Sequence, residues 1–273
     1  MNDAPQAACD FETGWISHTG KVRAANEDNF LLRPEFGLWA VADGMGGHEN
    51  GALASATVVA ALESVGAAAS ASELLAMLET SVIEANATLR AEIRRRGATM
   101  GATLVALLIH RQHFACLWSG DSRVYLVRAG RIAQLSRDHT EVQDMVDSGL
   151  LSAEEACRSP RRHVITHAIG VHERPELDLE NGEIADGDAF VLCSDGLTEH
   201  VGDAEILQAV EAGGAQAACD ALLALTLARG AHDNVTVVVV RCRRGAERTR
   251  WMPNRPARKG VAPADDTPRS ATS

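Results

Sequence analysis

The chain has 273 residues, 46% of them hydrophobic, which is ample material for a core and excludes a disordered or low-complexity protein. The formal net charge is -11, and residues 243–273 hold eight Lys/Arg against three Asp/Glu, leaving 18 bases and 34 acids in the body before them. Such a body would repel a phosphate backbone, so nucleic-acid binding is excluded, and the acids point instead to cations.

No apolar segment approaches the roughly 18 residues that span a bilayer, and Met1–Glu12 lacks a basic region followed by an apolar one. A cytoplasmic protein without a membrane partner is expected. The cysteines (Cys9, Cys116, Cys157, Cys193, Cys219, Cys242) are scattered with no CxxC pair, so neither a zinc site nor a disulfide frame is expected.

In chain order, residues 14–17, 29–32 and 37–42 read as short strands with Gly and Pro breaks between them. The loop from Gly20 to Asp28 carries Arg23 and the adjacent acids Glu27 and Asp28; taken alone it is equally well a solvated turn. The apolar run Leu38–Ala42 is too short for a helix and fits a buried strand. Asp43 is expected where that strand stops. Gly44, Gly46 and Gly47 then let the backbone turn tightly and approach whatever the carboxylate holds. An isolated Asp-Gly is ordinarily a turn dipeptide, so its meaning depends on the rest of the chain.

Residues 51–65 and 72–96 predict two helices, the second capped by Ser72 and stopped by Gly97 after three arginines. Leu74, Leu75, Leu78, Val82, Ile83 and Leu89 fit one buried stripe of it. Strands follow at 103–109, 113–118, 123–127 and 132–135, with Gly120-Asp121-Ser122 in one turn. The short connections require antiparallel pairing. Residues 140–163 loosen into helical pieces at 141–146 and 153–157 and read as a flap or a long connector. The strand 189–194 leads to Asp195-Gly196, a second strand-to-acid step. Helices at 203–212 and 215–229 precede the strand 235–240, which Asp233-Asn234 introduce. Beyond residue 242 the chain has almost nothing to bury, so a domain over 10–242 and a disordered basic tail over 243–273 are expected. Strands and helices are segregated, which is α+β.

Asp43, Asp121, Asp195 and Asp233 thus each sit at a strand edge beside Gly or Asn. Carboxylates brought within a few ångströms repel unless protons or cations intervene. Oxygen-only ligands favour Mg²⁺ or Mn²⁺ over zinc, and two such ions about 4 Å apart, sharing a carboxylate, can hold a hydroxide for in-line attack on phosphorus. Arg23 has the planar fork to clamp phosphate oxygens.

Seven motifs in order carry a resemblance: Arg23-x3-Glu27-Asp28, Asp43-Gly44-Met45-Gly46-Gly47, Gly101-Ala102-Thr103, Gly120-Asp121-Ser122-Arg123, Asp138-His139, Ser194-Asp195-Gly196-Leu197 and Asp233-Asn234-Val235-Thr236. Together, over residues 14–241, they resemble the bacterial type-2C (PPM) metal-dependent serine/threonine protein phosphatases. The resemblance implies an α-β-β-α sandwich of two central antiparallel sheets flanked by helices. It implies two Mn²⁺ or Mg²⁺ ions, with Asp43 bridging them, the Gly44 carbonyl on one, Asp195 and Asp233 on the other, and Glu27 acting through metal-bound water. Bacterial members often bind a third ion near the flap, which falls here to Asp121 and Asp195. Asp28 and Asn234 support from behind, and Arg23 takes the phosphate.

The implied activity is hydrolysis of phosphoserine and phosphothreonine in proteins. Implied partners are a Ser/Thr kinase and its substrates, the enzyme acting as a monomer. Residues 150–166 resemble the flap of members linked to type VI secretion.

Met45 stands where animal-type members carry a His proposed to protonate the leaving alkoxide; Met has no proton to give, and the role passes to metal-bound water. His48 nearby reads as a helix-start residue. Ala102 and His167 replace a hydroxyl and an Arg usual in the family.

Other readings are weaker. A nucleotide loop fails because residue 49 is Glu where a third glycine is needed. The Cys242-x5-Arg248 spacing of thiol phosphatases lacks a following helix. Asp186-Gly187-Asp188 precedes its strand rather than ending one, against an aspartyl-phosphate enzyme. The rival from another class is a pseudophosphatase that binds phosphoproteins without turnover, and the complete acid set speaks against it.

Overall fold

The computed structural model describes residues 9–47 and 49–244. The reading of His48, the expected tail beyond residue 244 and the spacing from Cys242 to Arg248 fall outside that range.

The first half runs β1 (Cys9–His18), β2 (Asp28–Arg33), β3 (Leu38–Met45), α1 (Glu49–Leu62), α2 (Ala71–Arg96), β4 (Gly101–Ala102), β5 (Leu104–His110) and β6 (His113–Ser119). The second half runs β7 (Arg123–Arg128), β8 (Arg131–Gln134), α3 (Glu141–Asp147), α4 (Ala153–Arg158), β9 (Asp178–Glu183), β10 (Ala189–Cys193), α5 (Asp195–Thr198), α6 (Asp203–Ala212), α7 (Ala215–Ala228) and β11 (Val235–Arg244).

Two antiparallel sheets result, ordered β1-β11-β10-β7-β8 and β2-β3-β5-β6-β9, with β4 paired to β3. Each core strand is apolar on both faces because it is covered twice. On β3, Leu38, Ala40 and Ala42 pack against α1 and α2, while Trp39 and Val41 enter the layer between the sheets. The second sheet repeats the scheme: Val191 and Cys193 of β10 and Val237 and Val239 of β11 face α6 and α7, and Phe190, Leu192, Val238 and Val240 face inward. The order is helices, sheet, sheet, helices, the expected α-β-β-α sandwich. Trp39 is fully buried and its indole N–H donates to Thr13 Oγ1 at 3.1 Å. Burying a large side chain of this kind stabilises by about 1.5–3 kcal/mol.

The observed boundaries differ from the predicted ones at several elements. Ser70, not Ser72, caps α2, its hydroxyl accepting from Glu73 N, while Gly97 closes the helix in the left-handed conformation as expected. Ile83 of α2 is 57% exposed. It follows Val82, and one residue further along is 100° around the helix, off the buried stripe. Strand β9, with the sequence Asp-Leu-Glu-Asn-Gly-Glu, carries no apolar alternation because it is an exposed sheet edge. The last strand continues past Val240 to Arg244, where it pairs with Cys9. Among the described residues no helix is long and apolar enough to cross a membrane.

Candidate metal centre

Side chains alternate faces along a strand, so the residues that continue the inward-facing rows decide what caps the layer between the sheets. On β3 the inward row Trp39, Val41 is continued by Asp43. On β2 the row Leu32, Phe30 runs back to Asp28, and Asp28 and Asp43 are direct cross-strand partners. At one edge of the sandwich the apolar layer therefore gives way to carboxylates.

Asp43 does not end its strand. Pairing of β3 with β5 stops at Val41, and Gly44 and Met45 pair instead with Ala102 and Gly101 of β4. The backbone at Asp43 is held by Thr103, whose hydroxyl accepts from Asp43 N at 3.0 Å and whose N–H donates to Asp43 O at 2.8 Å. Asp195 likewise does not close β10; it opens the short helix α5. Asp121 lies in the turn between β6 and β7. The preceding Gly120 sits at φ 108°, a conformation that favours glycine, and is gripped by His139, whose N–H donates to Gly120 O and whose Nδ1 accepts from Gly120 N. Asp233 precedes β11, its Oδ1 accepting from Asn234 N at 2.8 Å.

Asn234 joins this loop to the one bearing Arg23 and Glu27. Its Oδ1 accepts from Glu27 N at 2.8 Å, and its Nδ2 donates to Thr19 O and Ala25 O at 2.8 and 3.0 Å. Behind Glu27, Gly44 N and Ser55 Oγ both donate to its carbonyl. Helix α1 passes so close that a Cβ on Gly51 would collide with Glu27 Oε2, and one on Gly44 would strike the Gly51 carbonyl. These two glycines are required by close approach, not by backbone dihedral.

The structure brings the expected residues together. A cleft of about 430 Å³ is lined by Arg23, Glu27, Asp43, Gly44, Asp121, Asp195, Asp233 and Asn234, with Met45 on its wall. Asp28 lies behind it, buried, with Oδ2 accepting from Ser194 Oγ at 2.8 Å. Arg23, half exposed at the mouth, pairs with Asp233 Oδ2 at 2.6 Å.

The electrostatics are those of too many acids in one place. Burial, only partly offset by the Thr236 and Ser194 hydroxyls, pushes the Asp28 carboxyl up to about 7, with Asp195 and Asp233 adding to the rise. Burial and then the neighbours Asp195 and Asp138 push Asp121 up to about 8. Asp43 is raised well above the ordinary carboxylate range by burial first, then by Asp28, Asp195, Asp121 and Asp233. One oxygen each of Asp28, Asp121 and Asp195 is buried without a hydrogen-bond partner among the described residues. Orphaned carboxylate oxygens converging on a cleft fit hard divalent cations, and the predicted ligands Glu27, Asp43, Gly44, Asp121, Asp195 and Asp233 all offer oxygen.

Other expectations resolve structurally. Asp138 takes Arg123 in a two-pronged pair, Nε at 2.9 Å and Nη2 at 2.6 Å, and so braces the strand that follows Asp121. Asp188 is buried against Arg128, which accounts for Asp186-Gly187-Asp188 as a strand entry. Ala102 makes a two-way backbone bridge to Ile169, and His167 binds Glu176 at 2.9 Å, both outside the cleft lining.

Sequence reasoning assigned no role to Ser194, Thr236, Ser55, Gly51, His163 or Glu199. Ser194 and Thr236 stand beside predicted ligands, and inward alternation from Leu192 and Val238 would have found them. Glu199 lies four residues past Asp195, the spacing of one helical turn. His163 arrives from the flap between β8 and β9, its Nδ1 3.8 Å from Asp195 Oδ2 and its Nε2 3.1 Å from Glu199 Oε1. No local pattern marked it.

Residues 17–144 match the model of the family described as Protein phosphatase 2C. The serine/threonine phosphatase stp of Listeria innocua is 32% identical over 231 residues, 81% of this chain and 92% of that one. The serine/threonine protein phosphatase PstP of Mycobacterium tuberculosis is 39% identical over 226 residues, 82% of this chain. The present chain spans 43% of the length of that relative. A solved catalytic domain of PstP in complex with two manganese ions superposes with a TM-score of 0.78 at 37% identity, covering 85% of this chain and 98% of that one. A structure of PppA, described as a key regulatory component of the type VI secretion system in Pseudomonas aeruginosa, gives 0.80 at 40% identity, covering 85% and 97%.

Proposed function

The chain belongs to the protein phosphatase 2C family, and from that premise we propose that it hydrolyses phosphoserine and phosphothreonine in proteins with manganese or magnesium as cofactor. The observation that carries the reading is the convergence of Asp43, Asp121, Asp195 and Asp233 on one cleft with buried carboxylate oxygens lacking protein partners.

Asp43, central in the set, would bridge two cations. Glu27 and the Gly44 carbonyl would hold one with it, Asp195 and Asp233 the other, and Asp121 with Asp195 would take a third near the flap. The cations supply positive charge and water activation at the phosphorus. The protein's own groups do the positioning. Asn234 holds the Glu27 backbone and the Asp233 loop in one unit, so the two sides of the cleft keep their spacing. Ser194 and Thr236 keep Asp28 fixed behind Asp43. Arg23, on a long side chain at the mouth, exchanges Asp233 for the phosphate oxygens, which its planar fork matches.

Met45 on the cleft wall donates no proton, so the leaving alkoxide is protonated by water. A phosphoprotein receptor without turnover is disfavoured, because selection for binding alone does not call for the whole acid set. The partners we propose are a Ser/Thr kinase and its substrates, in a cytoplasmic setting that extends to control of type VI secretion, with the phosphatase acting as a monomer. The test is hydrolysis of p-nitrophenyl phosphate and a phosphothreonine peptide. Turnover should appear with Mn²⁺ and stop with EDTA; binding of the phosphopeptide with no turnover in any divalent ion would replace the enzyme with a receptor.

A further inference from the structure

Leu117 of β6 and Leu179 of β9 are direct cross-strand partners and share one face of their sheet. Leu117 is buried in the layer under α1 and α2, whereas Leu179 is 45% exposed. The helical layer therefore stops one strand short of the sheet edge. It leaves a groove of about 420 Å³ lined by Leu74 and Leu75 of α2, Leu108 of β5, Ala115 of β6, and Leu179 and Glu183 of β9. Among the described residues nothing pairs with the outer edge of β9. An open edge bearing an apolar side chain is a template for another segment, and folded proteins ordinarily cover one.

Two observations point to the occupant. The first is where the described chain stops. Gly187 N donates to Cys242 O at 3.1 Å and Cys242 N donates to Asp188 O at 2.8 Å, so the end of β11 lies against the turn that joins β9 to β10. The stretch from Glu183 to Gly187 spans at most about 14 Å and that from Cys242 to Trp251 reaches about 30 Å, so Trp251, outside the described residues, is within reach of the groove. The second is charge. Strand β9 carries Asp178, Glu180 and Glu183 and no base, whereas residues 248–259 carry five Lys/Arg and no acid. Trp251 and Met252 are the largest apolar side chains of that basic stretch.

We propose that residues 248–256 of this same chain dock along the outer edge of β9, with the Trp251 indole in the groove between α2 and β9 and the flanking arginines against the acids of the strand. An indole suits a groove that is apolar along its length and ends in an acceptor, because its ring is buried while its N–H meets a carboxylate, here that of Glu183. Pro253 and Pro256 favour extended backbone at the residues before them, the form that lies along a sheet edge. Docking occurs at the end of the sandwich away from the metal centre: β6 starts beside the groove at His113 and leads toward Asp121, and β11 starts just after Asp233 and ends at Arg244. It therefore goes beyond the phosphatase reading and does not depend on turnover.

The test uses the full chain with the photoreactive residue p-benzoylphenylalanine in place of Trp251. Irradiation should give a monomeric product whose cross-link maps to residues 71–75 or 177–183. Leu179→Lys, a change at an exposed position, should lower the yield of that product at least about fivefold, the worth of one lost apolar contact. In the unlabelled chain, the amides of residues 177–183 should exchange at least about threefold more slowly than in Trp251→Ala. Cross-links scattered over the surface, or a yield indifferent to Leu179→Lys, would overturn the proposal. Equal exchange in the parent chain and Trp251→Ala would show the groove open and overturn it as well. A cross-linked dimer carrying the same peptides would give the groove to a second copy and overturn the intramolecular contact. None of these results bears on the phosphatase reading, which stands or falls on turnover.

Discussion

Asp28 and Asp43 stand directly opposite one another on adjacent strands, two carboxylates in a position where like charges destabilise a sheet. The fold tolerates the pair because Ser194 and Thr236 bind Asp28 and because protons or cations can take up the rest of the charge.

That arrangement fixes how the metal-free protein responds to pH. An acid whose folded pKa is raised binds more protons folded than unfolded between the two values, so stability falls as pH rises through that window. The window runs from the ordinary value of 3.8 to about 7 for Asp28 and to about 8 for Asp121. In EDTA the Tm should fall steadily as pH rises through that span. Added Mn²⁺ should raise it by an increment that grows with pH; a Tm in EDTA that is flat over the window would contradict the charge crowding.

Arg23 is half exposed and its partner Asp233 is itself partly exposed, so the pair adds at most about 1 kcal/mol to stability. Arg23→Ala should leave Tm nearly unchanged and raise KM for a phosphopeptide by roughly tenfold, the worth of a charge-assisted contact. Steady-state kinetics decide it, and an unchanged KM would remove Arg23 from phosphate binding.

Asn234 makes hydrogen bonds to Glu27, Thr19 and Ala25. Asn234→Ala leaves polar backbone groups unpaired, at a cost of about 1–3 kcal/mol, and loosens Glu27 from the Asp233 side. Denaturant unfolding should show the loss. Mn²⁺ affinity should fall together with kcat/KM, whereas a purely structural role would lower stability alone.

Gly51 is packed against Glu27 with no room for a Cβ. Gly51→Ala should displace the Glu27 side chain with the fold intact, visible as circular dichroism like the parent and a Mn²⁺ affinity reduced about tenfold or more. Gly44→Ala, which drives into backbone carbonyls, should cost about 1–3 kcal/mol as overpacking does.

Much of this was legible in the sequence because the functional acids punctuate strongly patterned strands. Asp43, Asp121 and Asp233 stood beside glycines or Asn at the edges of apolar runs, and the layers followed from strands apolar on both faces. What escaped had weaker local signals. Strand β9 is polar because it is an edge, and its Leu179 faces solvent. Asp43 lies inside its strand because β4, two residues long, supplies pairing that no periodicity can reveal. His163 and Glu199 meet through the flap, and a contact between distant segments leaves no trace in either one. Gly51 looked like a helix residue and is a close-approach residue.

In the proposed mechanism one carboxylate, Asp43, holds together the cations that perform the hydrolysis. That role is tested most directly by the turnover of a phosphothreonine peptide by Asp43→Asn across a Mn²⁺ titration. Turnover should fall at least about 10³-fold, and no concentration of Mn²⁺ should restore it; turnover equal to the parent chain at saturating Mn²⁺ would remove Asp43 from that role.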